Sequence, residues 1–310
     1  MKKLTTLFVL SFFLNAGLFG QQFQSSYENV NEIQLTTGSA DCEIISSGTS
    51  LVEVELYHKL GDGYEPDVDF RNNKLIMKDN KYRGNADMRW VLKVPENIEI
   101  KYTAGSGDLN VSNVQVDLIS ISGSGDIELI NSGGNFKSNT GSGNIKLDNF
   151  DGEISANTGS GDISALTFKG SASLNTGSGS VEMNDVQAAV KANTGSGDIE
   201  ISDLASTGDC AFNAGSGSVE IGLAQTPRFN LSLNSGSGDA ILKRNGNALN
   251  ANIVMRANKA NGEIVAPFGF DREEEEGEGR QTVVKKYAAV GSGTRIDIKI
   301  GTGSGKAVIR

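Results

Sequence analysis

The tripeptide Gly-Ser-Gly begins at Gly105, Gly123, Gly141, Gly159, Gly177 and Gly195, at five successive intervals of 18 residues, and again at Gly215 and Gly236 after intervals of 20 and 21. A fixed period in this range is the signature of a solenoid, in which each repeat buries its apolar face by stacking on its neighbours. The expected fold is therefore all-β: a single-stranded parallel β-helix (β-solenoid) with an 18-residue coil, taken as right-handed.

Aligning the repeats on the first glycine separates inward from outward positions. Four residues on stand Leu109, Ile127, Ile145, Ile163, Val181, Ile199, Val219 and Ala240, and six on stand Val111, Leu129, Leu147, Ala165, Met183, Ile201, Ile221 and Leu242. Between them sit Asn110, Glu128, Lys146, Ser164, Glu182, Glu200, Glu220 and Ile241. This alternation is that of a strand with one dry face and one mostly wet face. A second strand enters the same turn, with Ile100, Leu118, Phe136, Ile154, Ala172, Val190, Cys210 and Leu231 five residues before the glycine. A looser row nine after it, Val114, Ser132, Phe150, Phe168, Val186 and Leu204, closes the coil.

Two rows are polar. Asn139, Asn157, Asn175, Asn193, Asn213 and Asn234 stand two residues before the glycine, where stacked amides can hydrogen-bond along the stack. Asp108, Asp126, Asn144, Asp162, Ser180, Asp198, Ser218 and Asp239 stand three after it, as short side chains able to bond local backbone N–H groups. The glycines are expected to supply the positive φ angles of a tight corner. Calcium is a weaker reading of Asp108, Asp126, Asp162, Asp198 and Asp239. Calcium-binding repeats recur every nine residues or so, and here Asn144, Ser180 and Ser218 interrupt the charge. No metal and no cofactor are expected.

The chain divides into four parts. Residues 1–20 carry Lys2, Lys3 and an apolar run through Leu14, and read as a secretory signal peptide. Residues 21–104 hold strand signals without a fixed period, at Glu32 to Thr36, Cys42 to Ile45, Leu51 to Tyr57, Lys74 to Lys78 and Met88 to Val94, and are expected to cap the solenoid. Residues 105–245 are the regular repeats. Residues 246–310 form an elaborated C-terminal coil, inside the stack or rejoining it at Gly303-Ser304-Gly305. Its segment from Pro267 to Arg280 reads as a loop bearing Glu273, Glu274, Glu275 and Glu276, a solvated hairpin tip.

Exported chains invite disulfides, but the register places Cys42 and Cys210 in core rows many turns apart, so both are expected as buried thiols. A net charge of −10 with a single histidine, His58, argues against nucleic-acid binding. The same scarcity excludes a Ser/His/Asp constellation, and His58 is expected at the surface or in packing.

The phrase Val94-Pro95-Glu96-Asn97-Ile98-Glu99-Ile100, followed by reiterated Gly-Ser-Gly-Asp-Ile at Gly123 to Ile127 and Gly159 to Ile163, resembles the bacterial domain-of-unknown-function family labelled "putative adhesin". That family is similar to the head domain, called GIN, of auto-transporter adhesins. The resemblance implies a β-helix in an exported protein, located in the periplasm, on the cell surface or outside the cell, and carries no catalytic or binding residues across. The expectation is a non-catalytic interaction scaffold whose partner is a protein or glycan surface, with no transmembrane segment after signal removal. The alternative is a carbohydrate-binding or carbohydrate-active β-helix using the stacked strip Glu182, Glu200 and Glu220.

Overall fold

The computed structural model describes residues 21–59, 64–79 and 87–310, and the expected signal peptide lies outside the described residues. Apart from one turn of 3-10 helix at Gly279–Gln281, the regular structure described is all β-strand, dominated by a long parallel stack.

At the N-terminal end the strands are β1 (Gln21–Tyr27), β2 (Glu32–Thr37), β3 (Asp41–Ser46), β4 (Val52–His58), β5 (Asp67–Arg71), β6 (Lys74–Lys78), β7 (Met88–Val94), β8 (Ile98–Ala104) and β9 (Leu109–Ser112). β2 and β3 flank the degenerate corner Gly38-Ser39-Ala40 and pair in parallel with β8 and β9, setting Ile33 beside Ile100 and Cys42 beside Leu109. On their other side they pair in parallel with β6 and β7. Antiparallel strands then finish the stack: β5 on β6, β4 on β7 and β1 on β4. The hydrophobic pattern misses β1 and β5, because each packs few apolar groups on the core: Phe23 and Tyr27 in one, Val68 in the other, where Phe70 stays exposed.

The regular stack contains β10 (Gln115–Ser122), β11 (Ile127–Thr140), β12 (Ile145–Thr158), β13 (Ile163–Thr176), β14 (Val181–Thr194), β15 (Ile199–Leu204), β16 (Cys210–Ala214), β17 (Val219–Leu223), β18 (Leu231–Ser235) and β19 (Ala240–Lys243). From β11 to β14 each strand pairs in parallel with the residue 18 positions on, as in Ile127 with Ile145 and Ile145 with Ile163. Beyond β14 the coil breaks into two short strands, so that β14 pairs with both β15 and β16. The inward rows are buried throughout, and Phe150 and Phe168 stack with ring planes 1° apart at a centroid distance of 6.0 Å. Cys42 and Cys210 are both free and buried.

The corner glycines correct one expectation. None of the glycines in the stacked Gly-Ser-Gly corners, from Gly105 to Gly238 and at Gly303 and Gly305, adopts a positive φ. They are required because the corners stack backbone on backbone: a Cβ on Gly125, Gly143 or Gly161 would fall inside 3.0 Å of the carbonyl oxygen of the glycine one coil earlier. The left-handed residues lie eight positions after the first glycine instead, at Asn113, Asn131, Asn149, Thr167, Asp185 and Asp203, with φ from 48° to 57°. Asn and Asp tolerate that conformation better than other residues with a side chain. This row of short polar residues could have been seen in the sequence.

The C-terminal end comprises β20 (Ala251–Asn258), β21 (Glu263–Val265), β22 (Arg272–Glu276), β23 (Val283–Val290), β24 (Ile296–Thr302) and β25 (Lys306–Ile309). Its spatial order departs from chain order. β24 and β25 stack in parallel on β18 and β19, and β20 and β21 stack in parallel outside them on β24 and β25. The last strands thus rejoin the stack by lying between two coils that precede them. The acidic run is not a hairpin tip: Glu273 to Glu276 form β22, antiparallel to β23, with Glu273 opposite Lys286 and Glu274 opposite Lys285. Lys286 bonds Glu273 at 3.1 Å and Lys285 bonds Glu276 at 2.6 Å, so cross-strand charge pairing makes a strand of a segment that reads as solvated loop.

Candidate functional site

Because inward positions of the strand before each corner are filled by core residues, the positions six and four before the glycine are forced outward. They line a trough of about 630 Å3 that runs along the stack from Glu99 to Asp209. Ser155, Ser171 and Ser173, all half-buried, form its middle, with Lys137 and Glu153 toward one end and Lys191 toward the other. Its length is six strand spacings, or about 29 Å.

Both ends of the trough are held by polar contacts. Lys101 bonds Glu99 and Glu32, each at 2.9 Å, and Lys74 bonds the same Glu32 oxygen at 2.9 Å. The hydrogen bonds from Lys101 and Lys74 hold the Glu32 carboxyl below its ordinary value, and Glu32 in turn pushes the Lys101 ammonium up. At the far end the Asn230 N–H donates to Asp209 Oδ1 at 3.0 Å.

The asparagine row borders this trough. Each side-chain amide from Asn157 onward donates to the Oδ1 of the asparagine one coil earlier, at 2.8 to 3.1 Å through Asn175, Asn193, Asn213 and Asn234. Arg256 Nη2 donates to the last oxygen, Asn234 Oδ1, at 3.2 Å. Beneath it lies a buried hydroxyl row that the sequence reading passes over, although Ser or Thr immediately precedes most of the Gly-Ser-Gly tripeptides. Thr176 Oγ1 donates to Gly161 O at 2.9 Å and accepts the Gly179 N–H at 3.0 Å, and Thr158 and Thr194 repeat the pattern.

The outward face of the strand after each corner carries a second trough of about 570 Å3, lined by Asp108, Asp126, Asp162, Glu128, Lys146 and Glu182 among others. The aspartate row does not bond its own corner as expected. Each member accepts the backbone N–H of the equivalent residue one coil later: Asp126 N–H on Asp108 Oδ1 at 2.9 Å, Ser180 N–H on Asp162 at 2.8 Å, Ser218 N–H on Asp198 at 2.7 Å, and Lys306 N–H on Asp239 at 2.7 Å. Any short acceptor can fill that role, which explains Asn144, Ser180 and Ser218. Among the described residues, no group of three or more His, Cys, Asp or Glu is arranged to hold a metal ion.

Glu182, Glu200 and Glu220 are register partners on successive coils, so the structure brings the strip together. Glu220 is ion-paired with Lys243 and, at 3.6 Å, with Arg310. Glu200 and Glu220 lie outside the second trough, which ends at Glu182. His58 is buried in β4, edge-on to the Tyr64 ring at 5.0 Å, away from both troughs. Burial pushes both cysteine thiols up, Cys42 furthest. Among the described residues, no helix is long and apolar enough to cross a membrane.

No curated protein matches the sequence. Among solved structures, a "putative lipid binding protein" from Parabacteroides distasonis is 21% identical over 68% of this chain and 92% of its own, with a TM-score of 0.48. A "putative cell adhesion protein" from Clostridium sporogenes is 12% identical, covering 93% of this chain and 98% of its own at a TM-score of 0.21. A "putative adhesin" from Parabacteroides merdae is 12% identical, covering 73% of this chain and 89% of its own at a TM-score of 0.24. Neither the family model that matches the sequence nor any of these structures is named for an enzymatic activity. That model matches residues 30–265, well over half of the chain and all of the regular stack, and the protein accordingly belongs to the Toastrack DUF4097 family.

Proposed function

We propose that the chain is an exported, non-catalytic β-solenoid that works as an interaction scaffold of the adhesin type, binding a protein or glycan surface in the periplasm, at the cell surface or outside the cell. In this reading residues 1–20 direct export, residues 21–104 and 246–310 close the two ends, and residues 105–245 form a right-handed stack of 18-residue coils that presents the binding faces.

The observation that carries the proposal is the trough from Glu99 to Asp209. Short side chains at Ser155, Ser171 and Ser173 leave room for an extended ligand, and the hydrogen-bonded asparagine row beside it fixes the neighbouring amides. A preformed, elongated surface of this kind, with Ile119 and Ala189 among its polar groups, suits recognition by contact along its length. It contains neither a histidine nor a cysteine side chain, and its carboxylates are interleaved with Lys137 and Lys191.

The stacked-glutamate reading has less support, since Glu220 is engaged by Lys243 and Arg310. The test is binding of the chain lacking residues 1–20 to glycan and matrix-protein arrays, followed by Ser171→Arg and Ser173→Arg. Binding lost on filling the trough supports the proposal. Binding unchanged by both substitutions, or lost only in Glu200→Gln, overturns it.

A further inference from the structure

The C-terminal cap is joined to the stack in an unusual way. β20 pairs with β23 and β24, and β21 pairs with β25; neither pairs with β18 or β19. The chain leaves the stack at Lys243, builds a coil one position too far out, and fills the gap with β24 and β25.

That gap accepts few sequences. Gly303 and Gly305 stack on Gly236 and Gly238, and a Cβ on either would fall inside 3.0 Å of the carbonyl oxygen below it. The β20–β21 link, Lys259-Ala260-Asn261-Gly262, lacks a Gly-x-Gly corner and cannot take the same place. The occupant also matches the polar rows of the edge. Asp297 N–H donates to Asn230 Oδ1 at 2.8 Å, Thr302 Oγ1 donates to Gly238 O at 2.8 Å, and Lys306 N–H donates to Asp239 Oδ1 at 2.7 Å. Residues 296–309 of any copy of the chain meet these requirements.

The link that delivers the last coil can act as a hinge. Gly291 to Arg295 are all exposed, and Gly291 and Gly293 have φ of 80° and 85°. Val290 and Ile296 flank Ala251 on opposite sides, so the link crosses the end of β20 and spans two strand spacings, about 10 Å. Exchange of such an element between copies keeps every contact of the closed form and alters only the hinge.

We propose that the edge formed by β18 and β19 is an exchangeable docking site whose occupant can be residues 296–309 of a second copy of this chain, so that two copies trade their last coils and form a closed dimer.

The first test shortens the hinge in the full chain by removing Gly291, Ser292 and Gly293. The two residues left cannot comfortably round β20, so the last coil is expected to dock on a neighbour, and light scattering should give twice the monomer mass with an unchanged circular dichroism spectrum. A monomer with the native spectrum overturns the proposal. The second test leaves the hinge intact, in case the shortened chain does not fold. Ser232 and Lys299 are register partners across β18 and β24. A Ser232→Cys chain and a differently tagged Lys299→Cys chain are unfolded, mixed at high concentration and refolded under oxidising conditions. A covalent heterodimer supports the exchange. Its absence, while a chain carrying both substitutions closes an internal disulfide, overturns it.

Discussion

Asn175 Nδ2 donates to Asn157 Oδ1 at 2.9 Å, and Asn175 Oδ1 accepts from Asn193 Nδ2 at 2.8 Å, so one amide serves the coils on both sides of it. Removing it breaks two hydrogen bonds and leaves a donor and an acceptor facing a gap that water can reach. Asn175→Ala is expected to lower stability by about 1–2 kcal/mol, measured by denaturant unfolding. Asn175→Asp should be worse, because it replaces the donor with a charged acceptor aimed at Asn157 Oδ1.

The glycine corners set a harder limit. Gly161→Ala places a methyl group against the Gly143 carbonyl of the preceding coil, in a stack with no room to shift. The expected loss is about 3 kcal/mol, the upper part of the usual overpacking range. Gly269→Ala, where nothing lies within 4 Å of the added atom, should leave the unfolding midpoint nearly unchanged.

Thr167 holds a φ of 55° in a row otherwise occupied by Asn and Asp. A β-branched side chain is strained there. Thr167→Asn is expected to raise stability by about 1 kcal/mol, and its side chain can continue the Asn149 to Asn131 hydrogen bond of 2.9 Å. A lower thermal midpoint in the variant would refute the strain.

The Lys101–Glu32–Lys74 cluster ties acid stability to one carboxyl. Its folded value lies below the ordinary 4.5 because Lys101 and then Lys74 bond its charged form. A depressed carboxyl stabilises the fold above the unfolded value and loses that contribution as pH falls through the folded one. Between pH 5 and pH 3, Glu32→Gln should therefore show a shallower fall in stability than the native chain, and at pH 7 it should be the less stable of the two.

Cys42 and Cys210 are buried, and burial disfavours both thiolates. Neither should react with a thiol reagent at pH 8 until the chain unfolds, so labelling followed by mass spectrometry should rise together with the loss of β signal. Fast labelling of either thiol in the native protein would contradict the packing.

Much of the architecture is legible because a solenoid writes its contacts into local order. Residues 18 apart become neighbours, so the core rows, the asparagine row and the aspartate row can each be read along the chain before any fold is known. What a row bonds to is harder to read. Short acceptors at a corner suggest bonds within that corner, yet the aspartates serve the next coil, because the corner N–H groups point along the stack. The sequence suggests left-handed turns for the glycines, and the true reason, carbonyl oxygens of the preceding coil stacked directly against them, exists only between coils.

The sequence by itself determined the repeating strand, its inward face and the burial of both cysteines, since these follow from periodicity and side-chain polarity alone. Only the tertiary structure decided the trough from Glu99 to Asp209, the pairing of the acidic run with Lys285 and Lys286, and the placing of residues 296–309 between two earlier coils. Those depend on which backbone edges remain open once the regular stack has formed, a property of the assembled sheet that no local window of residues contains.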